Sequence, residues 1–194
     1  EMCIRDRPEV APELRLRHPL LALVHHPLAF ETGLSIEQAA HFKDTEKRAL
    51  AQASHVVVTS PATLKDLVEY FSVPSNVITS VLPGTDRIAR VSTLAMRDAL
   101  RLLSVGSVVR RKGFDVLLAA LARLKQIPWQ LTIAGDLSRD TEAVAQLHLD
   151  IERFDLARRV QVLGAVDAAQ LQILYSQADV FVLASRFEGY GMAY

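Results

Sequence analysis

Three segments of this chain carry residue types whose spacing could do chemistry. The first reads Gly106-Ser107-Val108-Val109-Arg110-Arg111-Lys112-Gly113 and follows a short apolar run. Its two glycines allow a ligand to approach the backbone closely. Three consecutive cations at the start of a helix would oppose the helix dipole, and a bound diphosphate would reverse that penalty. A solvated basic turn is the alternative reading. The segment is neither a P-loop, for want of Gly-Lys-Ser/Thr, nor a dinucleotide fingerprint, whose glycine spacing differs. The second segment runs from Ala178 through an apolar strand to Ser185-Arg186-Phe187-Glu188-Gly189-Tyr190-Gly191. It sets a carboxylate between an aromatic ring and two glycines, where a helix-capping or merely solvated glutamate is the plainer possibility. The third is His25-His26, at the end of an apolar run and just before Pro27. Here catalytic and structural histidines are both open.

These segments gain meaning from the elements that must hold them. Residues 20–24 are continuous and apolar, which reads as a buried strand closed by Pro27. A helix is expected over 36–53, with apolar positions 36, 39, 40, 50 and 53 and Ser35 as its cap. The β-branched 55–59 reads as a strand. Ser60-Pro61 opens a helix striped by Leu64, Leu67, Val68 and Phe71 that Pro74 stops, and a strand follows at 77–81. From 102 the pattern becomes regular, with strands at 102–105, 130–134, 160–163 and 180–183. Between them lie helices at 114–125, 141–154 and 168–177. The stripe Phe114, Leu117, Leu118, Leu121 and Leu124 buries the first of these helices, and Asp167 with Gln170 resembles a capping box on the third. Such βα alternation predicts parallel sheets covered on both faces. Ligands of such sheets bind beyond the carboxyl ends of the strands, where all three segments lie.

Composition narrows the function classes. Among 194 residues, 22 Lys and Arg balance 22 Asp and Glu, so no global field draws the protein to nucleic acid or an acidic membrane. No apolar run approaches the roughly 18 residues needed to cross a bilayer, and nothing resembles a secretory signal. The reading is cytoplasmic, or peripheral to the inner face of the membrane. The single cysteine, Cys3, excludes an internal disulfide framework, and no Cys/His cluster has metal-ligand spacing. Residues 1–7 resemble a translated sequencing adaptor and are set aside with Cys3.

In order along the chain come Val24-His25; Ser54 to Ser60; Pro83-Gly84-Thr85-Asp86; Ser104-Val105-Gly106 with Arg111-Lys112-Gly113; and Ala178 to Val182 with Glu188-Gly189-Tyr190-Gly191. This series resembles glycosyltransferase family 4. The resemblance implies a GT-B architecture of two facing Rossmann-like domains, retention at the anomeric carbon and metal-independent chemistry. It also implies a nucleotide-diphosphate sugar as co-substrate with no cofactor. The acceptor would be an unidentified glycan, lipid or small molecule, and peripheral membrane association stays open. By similarity Lys112 and Gly106 meet the donor diphosphate. Ser107 stands where the family has an arginine, so Arg110 or Arg111 would supply the second cation. Glu188, with the backbone of Gly189, Tyr190 and Gly191, faces the transferred sugar, as does His25 or, alternatively, His26. A second glutamate is expected eight residues after Glu188.

The domain plan is then a leader at 1–19, the later part of an acceptor-side domain at 20–82, a linker at 83–99 and a donor-binding domain at 100–194. Both domains are expected to be incomplete, and this piece by itself to lack transferase activity. A GT-B epimerase or phosphorylase, or a noncatalytic nucleotide-binding module, is the alternative.

Overall fold

In the computed structural model, residues 8–84 and 98–191 are described. Residues 1–7 and most of the expected linker lie outside the described residues. The chain divides into two units, 8–84 together with 188–191, and 98–187.

In the first unit, strands β1 (Leu21–Val24), β2 (His55–Val58) and β3 (Ile78–Ser80) form a parallel sheet in the order β1-β2-β3. Helix α1 (Ala11–Arg17) precedes it, inside the expected leader at 1–19. Its Ala11 is fully buried. Helix α2 (Ile36–Leu50) begins with the expected cap, since the Ser35 hydroxyl accepts from the Gln38 amide at 3.2 Å and the Gln38 side chain accepts from the Ser35 amide at 2.8 Å. Its buried face differs from the sequence expectation. Ile36 is 85% exposed, whereas Thr45, Glu46, Ala49 and Leu50 are buried. Helix α3 (Pro61–Phe71) is capped by Ser60 and ends at Ser72, whose φ of 58° takes the chain out of the helix. Leu67 and Phe71 sit in the core with Val24, Leu50, Val56, Val58, Val73 and Ile78, while Val68 faces outward. Truncating a ring as buried as that of Phe71 costs roughly 3–5 kcal/mol, so this cluster holds the unit together.

The second unit contains β4 (Leu100–Val105), α4 (Phe114–Ala122), β5 (Trp129–Ala134), α5 (Thr141–Arg153), β6 (Val160–Gly164), α6 (Ala168–Gln177) and β7 (Val180–Phe181). All strand pairs are parallel, in the order β6-β5-β4-β7. In register, Leu102 lies beside Leu131 on one side and Val180 on the other. Buried Leu102, Leu118, Trp129, Leu131, Ile133, Leu147 and Leu156 form the core. Helix α4 stops before Leu124, which is 40% exposed. Coverage is uneven, because β4 and β5 are buried at their centres while β6 and β7 stay partly exposed. Asp167 caps α6 through the Gln170 amide at 2.7 Å. Among the described residues no helix is long and apolar enough to cross a membrane.

Candidate functional site

In the second unit β4 has β5 on one side and β7 on the other, so the strand order reverses between β4 and β7. A crevice at the carboxyl end of such a reversal is where open α/β sheets bind ligands. Two loops meet there, 106–113 after β4 and 182–187 after β7. The three cations stand at the entry to α4, as the sequence suggests. Arg110–Lys112 form a 3-10 turn, closed by Gly113 at a φ of 65°, and α4 starts only at Phe114. The cations therefore stand directly before the N-cap of α4, at the positive end of its dipole.

Gly106 leaves β4 with its amide donating to Ala134 O at 2.9 Å, and buried Val108 donates to Asp136 O at 2.9 Å. The Lys112 side chain lies across Gly106, where a Cβ would stand 2.9 Å from the lysine Cε. Beneath them, Gly135 presses against the Gly106 carbonyl so closely that a Cβ there would overlap backbone atoms. The sequence does place Gly106, Arg111 and Lys112 in one turn, and this packing brings Gly106 and Lys112 together.

The loop 182–187 is stitched onto the same turn. The Arg186 amide donates to Arg111 O at 2.8 Å, and Arg111 Nη1 donates to Phe187 O at 2.8 Å. The Ala184 carbonyl sits against Gly113, leaving no room for a side chain. Arg186 also forks onto Asp115, at 3.0 and 2.6 Å. That guanidinium, through its hydrogen bonds first, holds the Asp115 carboxyl below its ordinary value against the opposing effect of burial. Arg110, the other candidate for the second cation, is paired with Glu142 at 2.6 Å, and Arg111 with the Phe187 carbonyl.

A cavity of about 450 Å³ opens at the end of β6, lined by Leu163, Ala165, Val166, Gln170, Ile173 and Leu174. Its lining is more apolar than polar, with Gln170 as the polar side chain.

In the first unit, the His25 carbonyl accepts from the hydroxyls of Thr59 and Thr63, each at 3.3 Å. Gly189 packs onto that same carbonyl, with His26 Cβ beside it. The His26 ring is bound to Glu31 at 2.8 Å. The loop after His26 is held from below, where buried Glu46 accepts from the Leu28 and Ala29 amides at 2.9 and 3.2 Å. Glu188, Gly189, Tyr190 and Gly191, expected in the donor-binding domain, thus group by contacts with the unit that carries His25 and His26.

The model of the family described as "Glycosyl transferases group 1" matches residues 85–194, more than half of the chain. The chain belongs to the group 1 glycosyl transferases. Its fold is that of the GT-B enzymes, with two Rossmann-like α/β units. Mannosylfructose-phosphate synthase of Agrobacterium fabrum is 29% identical over 154 residues, which cover 71% of this chain and 34% of that protein. Sucrose-phosphate synthase from Thermosynechococcus elongatus superposes with a TM-score of 0.78 at 26% identity, covering 96% of this chain and 50% of that one. HepE from Anabaena, in complex with UDP and glucose, superposes with a TM-score of 0.74 at 20% identity over 96% of this chain and 53% of that one. The chain therefore spans between a third and about half the length of these proteins.

Sequence reasoning missed Gly135, Asp115, Arg186 and Glu46. A glycine after an apolar strand was a legible signal for Gly135. Arg186 and Asp115 are far apart in sequence, and only the fold pairs them.

Proposed function

We propose that the full-length group 1 glycosyl transferase moves a hexose from a nucleotide-diphosphate sugar to an acceptor hydroxyl, with retention and without a metal ion. The observation that carries this reading is the convergence of Gly106, Arg111 and Lys112 with the loop 182–187 at the strand-order reversal beside β4. Departure of the nucleotide diphosphate builds negative charge on its phosphates while the sugar becomes cationic. Fixed cations and close backbone at the leaving group stabilise that charge most where it develops. Lys112 takes the diphosphate, the absence of a side chain at half-buried Gly106 lets it come close, and Arg111, tied to the loop 182–187 through Phe187 O, supplies the second cation. The mainly apolar cavity at the end of β6 receives the base, in a fold that in HepE holds UDP and glucose.

Glu188 accepts hydrogen bonds from the sugar hydroxyls, with the backbone of Gly189, Tyr190 and Gly191 beside it. Of the two histidines, His25 is the better donor toward the sugar, since the His26 ring is occupied by Glu31. No carboxylate is assigned as nucleophile. The acceptor attacks the face the leaving group vacates, and a phosphate oxygen takes its proton. The protein works without a cofactor, in the cytoplasm or at the inner membrane face.

The test offers the full-length protein a panel of nucleotide sugars with candidate acceptors, with and without a chelator. Nucleotide diphosphate release, anomeric configuration of the product and the effects of Lys112→Ala and Glu188→Gln are measured. Chelator-insensitive release with retention, lost in both variants, supports the reading. Nucleotide binding without turnover would leave a binding module, and a requirement for free phosphate would make the protein a phosphorylase.

A further inference from the structure

The geometry points to Arg186 as a positioning residue that locks the loop 182–187 onto the cation turn, so that one guanidinium sets the register of the diphosphate grip at Lys112. The role rests on the transferase reading above. Four contacts converge on Arg186. Its amide donates to Arg111 O at 2.8 Å, Nη1 donates to Arg110 O at 2.7 Å and to Asp115 Oδ1 at 3.0 Å, and Nη2 donates to Asp115 Oδ2 at 2.6 Å. Arg111 returns the connection through its own guanidinium to Phe187 O at 2.8 Å. The two loops are thus tied in both directions, on the backbone and through side chains.

The chemistry requires arginine. Its planar fork can satisfy both carboxylate oxygens and still direct a separate N–H to a carbonyl, whereas a lysine ammonium is a point charge that cannot hold that geometry. Global stability does not explain the arrangement. The Arg186 and Asp115 side chains are 43% and 47% exposed, and pairs that exposed contribute little to folding. The pair instead fixes where a short connection lies. Beyond Phe181 the Val182 amide bonds Leu103 O and the Arg186 amide bonds Arg111 O, so the Arg186 contacts help to register the segment on the turn.

The experiment compares full-length wild type with Arg186→Lys, Arg186→Ala and Asp115→Ala, and with the Arg186→Ala/Asp115→Ala double variant. Melting temperature, amide exchange over 110–113 and 184–187, and kcat and KM for the nucleotide sugar are measured. Melting should shift by only a few degrees, as expected for an exposed pair. Exchange should accelerate in both segments together. Turnover should fall between about tenfold and a hundredfold, the scale of an ångström-level misplacement, in Arg186→Lys as well as Arg186→Ala, with KM changed less than kcat. The double variant should be no worse than Arg186→Ala, because both single changes remove one interlock. An active wild type whose Arg186→Lys variant exchanges and turns over normally would overturn the positioning role alone. So would a rate loss that merely follows melting temperature while local exchange is unchanged. A wild type that turns over no nucleotide sugar would overturn the transferase reading, and this role with it.

Discussion

Replacing Gly135 by alanine tests whether the diphosphate turn is held by backbone packing. The added methyl would overlap the carbonyl of Gly106 and lie 2.9 Å from Ser107 N. All three of its nearest neighbours are backbone atoms, so no rotamer change relieves the clash. Both flanks are pinned, with Gly106 N bonded to Ala134 O, Val108 N to Asp136 O, and Gly135 N to Gly164 O at 2.8 Å. Relief therefore means breaking one or two of these bonds, at about 1 kcal/mol each, on top of an overpacking cost of about 1–3 kcal/mol. The alanine returns about 0.4–1 kcal/mol by restricting the unfolded chain. Net destabilisation should be roughly 2–4 kcal/mol, with weakened nucleotide-diphosphate binding because Gly106 must move under Lys112. Gly84→Ala is the control, since a methyl there meets nothing within 4 Å. Denaturant unfolding of the full-length protein and calorimetric titration with nucleotide diphosphates read both effects. A Gly135→Ala protein with wild-type midpoint and affinity would show that the turn adjusts freely, contrary to the packing argument.

Lys112→Ala should raise the barrier for donor use by about 2–3 kcal/mol, the scale of one charge-assisted hydrogen bond, with unfolding unchanged; kcat/KM and a melt taken together check this. Asp115 is held below its ordinary value near 3.8 by Arg186. Because its folded value lies under its unfolded one, the stabilisation it gives is present above pH 3.8 and disappears as pH falls through the folded value. Acid titration of the melting temperature should be slightly shallower below pH 3.8 in Asp115→Asn, a small effect because the pair is half exposed, and a steeper slope in the variant would contradict the pairing. Glu46→Ala strips the acceptor from two amides and should cost about 2–4 kcal/mol, whereas Glu46→Gln keeps one oxygen and should cost less. Denaturant unfolding with amide exchange at Leu28 and Ala29 distinguishes the two.

Much of the fold is legible because strands buried on both faces write themselves as continuous apolar runs, as at Leu102 and Leu103 or Val56 to Val58. Caps are equally local, and Ser35, Ser60 and Asp167 all act where their types predict. What sequence reading misses is non-local. Helix α2 buries a glutamate and exposes its first isoleucine, since the acceptor that the Leu28 and Ala29 amides need outranks an apolar pattern. Leu124 continues an apolar stripe, but α4 ends before reaching it. At the site, the Gly106 and Lys112 segment is visible from composition. The partners of its arginines are not, since Arg110 pairs with Glu142, 32 positions away, and Arg111 with the Phe187 carbonyl, 76 away.

The contacts that close the turn also carry a consequence for biogenesis. Arg186 reaches Asp115 across 71 residues and Arg110 across 76, and Asp179 meets Arg101 across 78. Strand β7 can join β4 only after β5 and β6 and their helices have emerged, because parallel neighbours need crossover connections. A growing chain would thus assemble three strands of this sheet while its anion-gripping turn is still open. Synthesis runs at about 5–20 residues per second, so on the ribosome that interval lasts several seconds. During it the cations Arg111 and Lys112 stand without the loop that later frames them, and a nucleotide diphosphate arriving early would meet a half-built grip.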